Sequence, residues 1–208
     1  MSNQTDELDA MKQDVFREIA NIGAGHASSA LSMLMECPVE QDVPEVKLVP
    51  LGDMIDMLGG AERVVVSVAM QVSGSVDGYL LSILDFQQAQ HIIEMIRNQP
   101  LEKAPEGSIF SLMDESALKE AVNITGGSYL TAISQMTGLD LFPTSPFATM
   151  DMLGAVLSVA LVQAGLDGDY VLYFKSGLFS NEQGFAEDLL LIPDQKSYQI
   201  LLQSLGCL

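Results

Sequence analysis

Glu18 and Asn21, three residues apart, recur as Glu120 and Asn123, each displaced by 102 residues. On a helix, residues at this spacing are neighbours with Cβ atoms roughly 5–6 Å apart, so each pair sets a carboxylate beside a carboxamide. The two groups have complementary tasks. A carboxamide donates and accepts hydrogen bonds at once, which suits it to hold a water in line with an electrophilic phosphorus; a carboxylate only accepts, and can dock onto a cation. Phosphoryl transfer draws most of its rate from positioning and charge stabilisation, so a weakly basic amide suffices where a metal ion is supplied from elsewhere.

The pairs sit in a wider pattern. Asp14-x3-Glu18-x2-Asn21-x22-Pro44 is matched in register by Ser116-x3-Glu120-x2-Asn123-x22-Pro146. With 13 Glu and 5 Asn in 208 residues, random placement gives about 0.3 Glu-x-x-Asn pairs, yet both occurrences carry the same downstream proline. The flanks agree as well: Ile22 with Ile124, Gly25 with Gly127, Ala30 with Ala132, Leu31 with Ile133 and Ser32 with Ser134. The chain therefore contains an internal duplication. A single exposed Glu and Asn would ordinarily be solvated surface; the repeated register singles out Glu18, Asn21, Glu120 and Asn123 as candidate catalytic residues. Asp14 and Ser116 read as helix-surface residues, and Pro44 and Pro146 as strand starts.

The elements that must hold these groups can be traced by periodicity. From about Thr5 to Met35 the pattern is helical, with Leu8, Met11, Val15, Ile19 and Ile22 on one stripe, and Asp14, Glu18 and Asn21 fall roughly 90° from its centre, free to reach solvent. Pro38 and Pro44 close this element; EVKLVP reads as a short strand and LGDMIDML as a helical turn or two. Glu62–Val72, the turn chemistry of Gly74–Gly78, and Tyr79–Leu84 suggest a hairpin, followed by a helix over Phe86–Arg97. QPLEKAPEG is the candidate boundary between halves. The second copy repeats the order: a helix over about Ser111–Met136 with Ala117, Ala121 and Ile124 inward, a short strand Leu141–Pro146, a helix Met152–Ala164, strands Asp169–Phe179 and Phe185–Ile192, and a closing helix Asp194–Leu205. The expectation is an α/β (α+β) fold: one domain over residues 1–208, made of two pseudo-symmetric halves at about 5–98 and about 108–206.

Composition narrows the function classes. A hydrophobic content of 48% and a mean hydropathy of +0.26 indicate a real core. A net charge of -19, with only nine basic residues, argues against nucleic acid and against anionic membrane surfaces, both of which need clustered Lys and Arg. The acidic balance reads as solubility and should slow rather than steer encounter with an acidic partner. The apolar run Met152–Ala164 is short of the roughly 20 residues that span a bilayer and reads as a buried helix, so no membrane insertion is expected. The N-terminal residues show neither a basic nor an apolar leader region, and Cys37 and Cys207 read as reduced thiols, which points to a cytoplasmic protein. His26 and His91 lack partners at metal-ligand spacing. Gly23-Ala-Gly25 lies within a helical stretch rather than after a strand, and Gly25 and Gly127 are expected to permit near contact with another backbone.

DVFREIANIGAGHASSALSML and SALKEAVNITGGSYLTAISQMTG resemble the two signature helices of the CheC-type phosphatases of bacterial chemotaxis, grouped with CheX and FliY. The resemblance covers nearly the whole chain. It implies a hydrolase acting on the aspartyl phosphate of a CheY-like response regulator, with Asn21 and Asn123 positioning the attacking water and Glu18 and Glu120 contacting a lysine of the receiver. Mg²⁺ would then belong to the partner receiver domain, with no cofactor intrinsic to this chain. His26 stands where many relatives have another Asn. CheX-like members carry one motif and dimerise, whereas two motifs in one polypeptide imply a monomer; FliY members add a flagellar-switch domain for which this chain ends too early. CheC proteins often bind the deamidase CheD, so a CheD-like deamidase is a candidate second partner that no feature here itself shows. The alternative is a binding module on the same fold that docks response regulators or such a deamidase without turnover.

Overall fold

The computed structural model describes residues 2–163, 170–180 and 183–206. In chain order it comprises α1 (Ser2–Met35), β1 (Glu40–Gln41), β2 (Glu45–Pro50), α2 (Leu51–Met57), β3 (Val64–Gly74), β4 (Gly78–Leu84), α3 (Phe86–Arg97), α4 (Leu112–Thr137), β5 (Leu141–Pro143), β6 (Phe147–Met152), α5 (Leu153–Gln163), β7 (Tyr170–Ser180), β8 (Gln183–Pro193) and α6 (Gln195–Ser204). The mixed helix and strand class expected from the sequence is the one observed.

Local chemistry fixes the helix ends. Asp85 caps α3 through a reciprocal capping box with Gln88, and Asp194 caps α6 by accepting from the Ser197 amide at 2.7 Å. Ser111 caps α4, and Gly138 ends it in the left-handed region at φ 71. α1 stops at Met35 with Glu36 at φ 52, ahead of Pro38, and the Ser32 hydroxyl accepts from the Val39 amide at 2.8 Å, folding the departing chain back onto its helix.

One antiparallel sheet collects all eight strands. β7, β8, β4 and β3 run side by side; β1 and β2 pair with β7 at one end, and β5 and β6 with β3 at the other. The two hairpins meet along β4 and β8, where Leu81 faces Leu190. The short strands are exchanged: β2 of the first half adds to the second half's hairpin with Leu48 opposite Leu172, and β6 adds to the first half's hairpin with Ala148 opposite Val68.

Helices cover both faces of the sheet. Ile19 and Leu31 of α1, Leu118 and Ile133 of α4, Ile92 of α3 and Leu201 of α6 pack on Val66, Val68, Leu80 and Phe174. Met54 of α2 and Leu153 and Leu157 of α5 pack on Val65, Leu81, Ile83 and Leu190 from the other side. Burial on both faces is why Val65–Val66 and Leu189–Ile192 read as apolar runs without alternation although the sheet is antiparallel.

Several expectations need correcting. Leu141–Pro146 is not one strand: β5 ends at Pro143 and a separate edge strand, β6, follows Pro146. Its residues are mostly exposed or half-buried, so no alternation marked it. α5 is not a buried helix, since Val159 is 56% and Val162 80% exposed; it forms the outermost layer and hides one face only. Gly25 and Gly127 do not meet another backbone: a methyl on Gly25 would lie 4.0 Å from Gln41 Nε2, and one on Gly127 would meet nothing within 4 Å. The close approach is at Gly23 instead, against Tyr129. The expected ends Ala164 and Asp169, Cys207, and the Leu8 and Met11 side chains lie outside the described residues.

Candidate functional site

Glu18 and Asn21 on α1, and Glu120 and Asn123 on α4, are all exposed. Burial of the opposite face holds each helix in place. Phe16, Ile19 and Ala20 anchor α1, while Leu118, Ala121, Val122 and Tyr129 anchor α4. α1 and α4 pack together, and Gly23 lets them approach: a methyl there would lie 3.1 Å from the Tyr129 Cα and 2.7 Å from its ring. Ala121 is buried, with Ala117 and Ile124 half-buried on the same inner side.

In the second copy the sparse motif closes up in space. Ser116, Glu120, Asn123 and Pro146 line one depression of about 390 Å³, together with Lys119, Pro143, Thr144 and Ser145. The long gap between Asn and Pro is the length of chain needed to finish α4, form β5 and return to the helix face. Pro146 therefore both precedes β6 and borders the depression. Thr144 fixes that return: its amide donates to the Gln71 carbonyl at 2.8 Å, and its hydroxyl accepts from the Gln71 amide at 3.1 Å.

The first copy repeats the anchoring. Asp42, two residues before Pro44 as Thr144 is before Pro146, donates its amide to the Gly177 carbonyl at 2.9 Å. In both copies the proline loop belongs to one half and is tied to the hairpin of the other. Pro44 is buried, and Gln41 at the edge of this loop reaches toward Gly25, one turn beyond Asn21.

The scaffold under the second site contains two buried acids. Asp114, in the first turn of α4, accepts from the Ser111 hydroxyl at 2.9 Å and the Glu102 amide at 2.9 Å and pairs with Arg97 of α3. Burial alone would raise its pKa, but these donors together hold the carboxyl below the ordinary value. Glu187 of β8 accepts from the Thr125 hydroxyl at 3.2 Å beneath α4, and burial pushes it up to about 7.

Reading by motif alone missed Lys119 and its counterpart Arg17, as well as Thr144 and Ser145. The first two carried a signal, since a basic residue stands immediately before Glu in both copies. Among the described residues no group of three His, Cys, Asp or Glu is arranged to hold a metal ion, and no helix is long and apolar enough to cross a membrane.

Comparison with known proteins meets the same duplication. A model of the CheC-like family matches twice, over residues 11–48 and 113–150, so the two matched stretches are themselves 102 residues apart and each contains one Glu/Asn pair and its proline. The protein named CheY-P phosphatase CheC from Bacillus subtilis (strain 168) is 34% identical over 198 residues, covering 94% of each chain. Among solved structures, Thermotoga maritima FliY superposes with a TM-score of 0.67 at 18% identity, over 93% of this chain and 96% of that one. A chain of the H. pylori FliM–SpeE complex gives 0.67 at 14% identity, over 94% of each. Identities this low show a shared fold and nothing finer. Identity of 34% to a CheC protein over 94% of the chain, with the family pattern found twice in register, places this chain in the CheC-like family.

Proposed function

We propose that the protein is a phosphatase of chemotaxis signalling that hydrolyses the aspartyl phosphate of a CheY-like response regulator. The observation that carries this reading is the convergence of Ser116, Glu120, Asn123 and Pro146 on one depression, within a chain 34% identical to a protein named for that activity.

In this reading Asn21 and Asn123 each hold a water in line with the phosphorus, the amide oxygen accepting a hydrogen bond from it. The water oxygen bonds to phosphorus, and the bond to the receiver's carboxylate breaks with its electron pair remaining on that carboxylate. The water's protons leave to phosphate and solvent. Glu18 and Glu120 dock onto a receiver lysine, setting the Asn one turn along at its working position. Mg²⁺ would be held by the receiver, where it would stabilise charge on the transferring group. One polypeptide supplies both sites, so a monomer suffices. A CheD-like deamidase is a further candidate partner that no described surface feature independently supports.

The test follows phosphate loss from a phosphorylated CheY-type receiver with Mg²⁺, comparing the wild-type protein with the Asn21→Ala/Asn123→Ala double variant. Acceleration by wild type that the variant loses while still binding the receiver is the expected result. Equal rates with and without the wild-type protein, across several receivers, would overturn it in favour of a binding module.

A further inference from the structure

Each motif Glu follows a basic residue, Arg17 before Glu18 and Lys119 before Glu120. With nine Lys and Arg in 208 residues, random placement fills both positions about once in 500 trials. Each cation stands four residues before an Asn, Arg17 before Asn21 and Lys119 before Asn123, the spacing that puts side chains on one helix face. Lys119 also lines the depression formed by Ser116, Glu120, Asn123 and Pro146.

The ordinary explanation is an intrahelical ion pair, and both residues make one: Arg17 with Asp14 at 2.9 Å, Lys119 with Glu115. Those pairs do not account for the retention of the cations. Asp14 corresponds to Ser116, and Glu115 corresponds to Gln13, so the acid sits at a different position in each copy while the cation stays put. Helix pairs at this spacing are worth only about 0.3–0.5 kcal/mol. What both copies preserve is a cation beside the carboxamide.

We propose that Arg17 and Lys119 are further catalytic residues, each contacting the non-bridging oxygens of the phosphoryl group while the neighbouring Asn holds the water. This assignment rests on the phosphatase reading. The chemistry is charge neutralisation: as the oxygen–phosphorus bond to the receiver carboxylate loosens and the water oxygen closes in, negative charge spreads over the equatorial oxygens, and a cation already in place lowers that barrier. In a chain of net charge -19 it also offsets local repulsion of the phosphoryl anion. No proton is transferred from either cation.

The experiment isolates one site at a time. With Asn21→Ala as parent, so that the second site alone works, Lys119→Gln, Lys119→Arg and Glu115→Gln are compared for hydrolysis of a phosphorylated CheY-type receiver, with kcat and KM separated and Tm recorded. Expected is a fall in kcat of about 10- to 100-fold for Lys119→Gln, with KM within about twofold, recovery of most of kcat in Lys119→Arg, and an unchanged rate in Glu115→Gln. An unchanged kcat in Lys119→Gln, a change confined to KM, or an equal loss in Glu115→Gln would each overturn the assignment. A parent that fails to accelerate hydrolysis over the receiver alone would overturn the phosphatase reading of this site, and the assignment with it. The reciprocal set, Arg17→Gln on an Asn123→Ala parent, should give the same pattern.

Discussion

Gly23 lies directly against Tyr129: a methyl at Gly23 would stand 3.1 Å from the Tyr129 Cα and 2.7 Å from its ring. Gly127, one turn beyond Asn123, faces open space. The same substitution at the two positions should therefore have opposite signs. Gly23→Ala overpacks the α1–α4 contact and should lower stability by about 1–3 kcal/mol despite better helix propensity. Gly127→Ala gains propensity without a clash and should raise it by about 0.5–1 kcal/mol. Denaturant melts of the two variants beside wild type check this; a stabilised Gly23→Ala would mean that α1 and α4 pack less closely than described.

Asp114 holds the start of the second motif helix. It joins Ser111 of the cap, the Glu102 amide of the linker and Arg97 at the end of α3. Asp114→Ala should cost about 1–3 kcal/mol, because it strips a cap contact, leaves the Glu102 amide without its acceptor and removes one of the two acids paired with Arg97. Arg97, at the end of its helix and also paired with Glu102, keeps one acid in that variant. Urea unfolding gives the stability change, and hydrolysis at the first site alone, measured on an Asn123→Ala background, should fall much less than at the second.

The motif helices, the hairpins and the two closing helices were legible because each advertises itself locally: a 3.6-residue stripe at Val15, Ile19 and Ile22, and a valine-rich strand followed by glycine turn chemistry. The four motif residues were legible through repetition. What sequence could not show is the strand exchange. β6 is an edge strand with little burial on either face, so Phe147–Met152 lacks alternation, and its pairing with β3, from Val64–Met152 to Ala69–Phe147, is a long-range fact. Without β6, the path that brings Pro146 back to Glu120 has no visible reason. The misjudged glycines share this origin: identity at Gly25 and Gly127 signalled a constraint, but only three-dimensional packing separates an internal approach, as at Gly23, from an outward-facing face.

If the two sites work independently, their losses should add. Asn21→Ala and Asn123→Ala singly should each leave the hydrolysis of the other site, and the double variant should leave none; their summed rates should approach wild type, since the two Asn residues lie on separate helices. Single-turnover kinetics with excess protein resolve this. A single substitution that removes all acceleration would show that only one copy works, or that the two are coupled through the α1–α4 contact.

Glu187 should make stability fall with rising pH. Its pKa is raised from 4.5 to about 7, first by burial and further by nearby Asp188, with the Thr125 hydroxyl opposing the shift. A carboxyl that holds its proton more tightly folded than unfolded takes up a proton on folding between those values, so the penalty begins near the unfolded pKa and is complete above about 7. A shift of this size corresponds to something on the order of 3 kcal/mol. Glu187→Gln removes the titration while keeping an acceptor for Thr125. The variant should match wild type near pH 4.5 and exceed it by on the order of 2–3 kcal/mol at pH 8. The wild-type difference isolates Glu187 from Asp188 and the other carboxylates, which titrate in both proteins. Urea melts at the two pH values decide the matter: parallel stability curves for the two proteins would mean that Glu187 is charged in the fold at ordinary cost. Since Thr125 lies two residues beyond Asn123 on α4, the gain at high pH should appear as slower amide exchange in that helix.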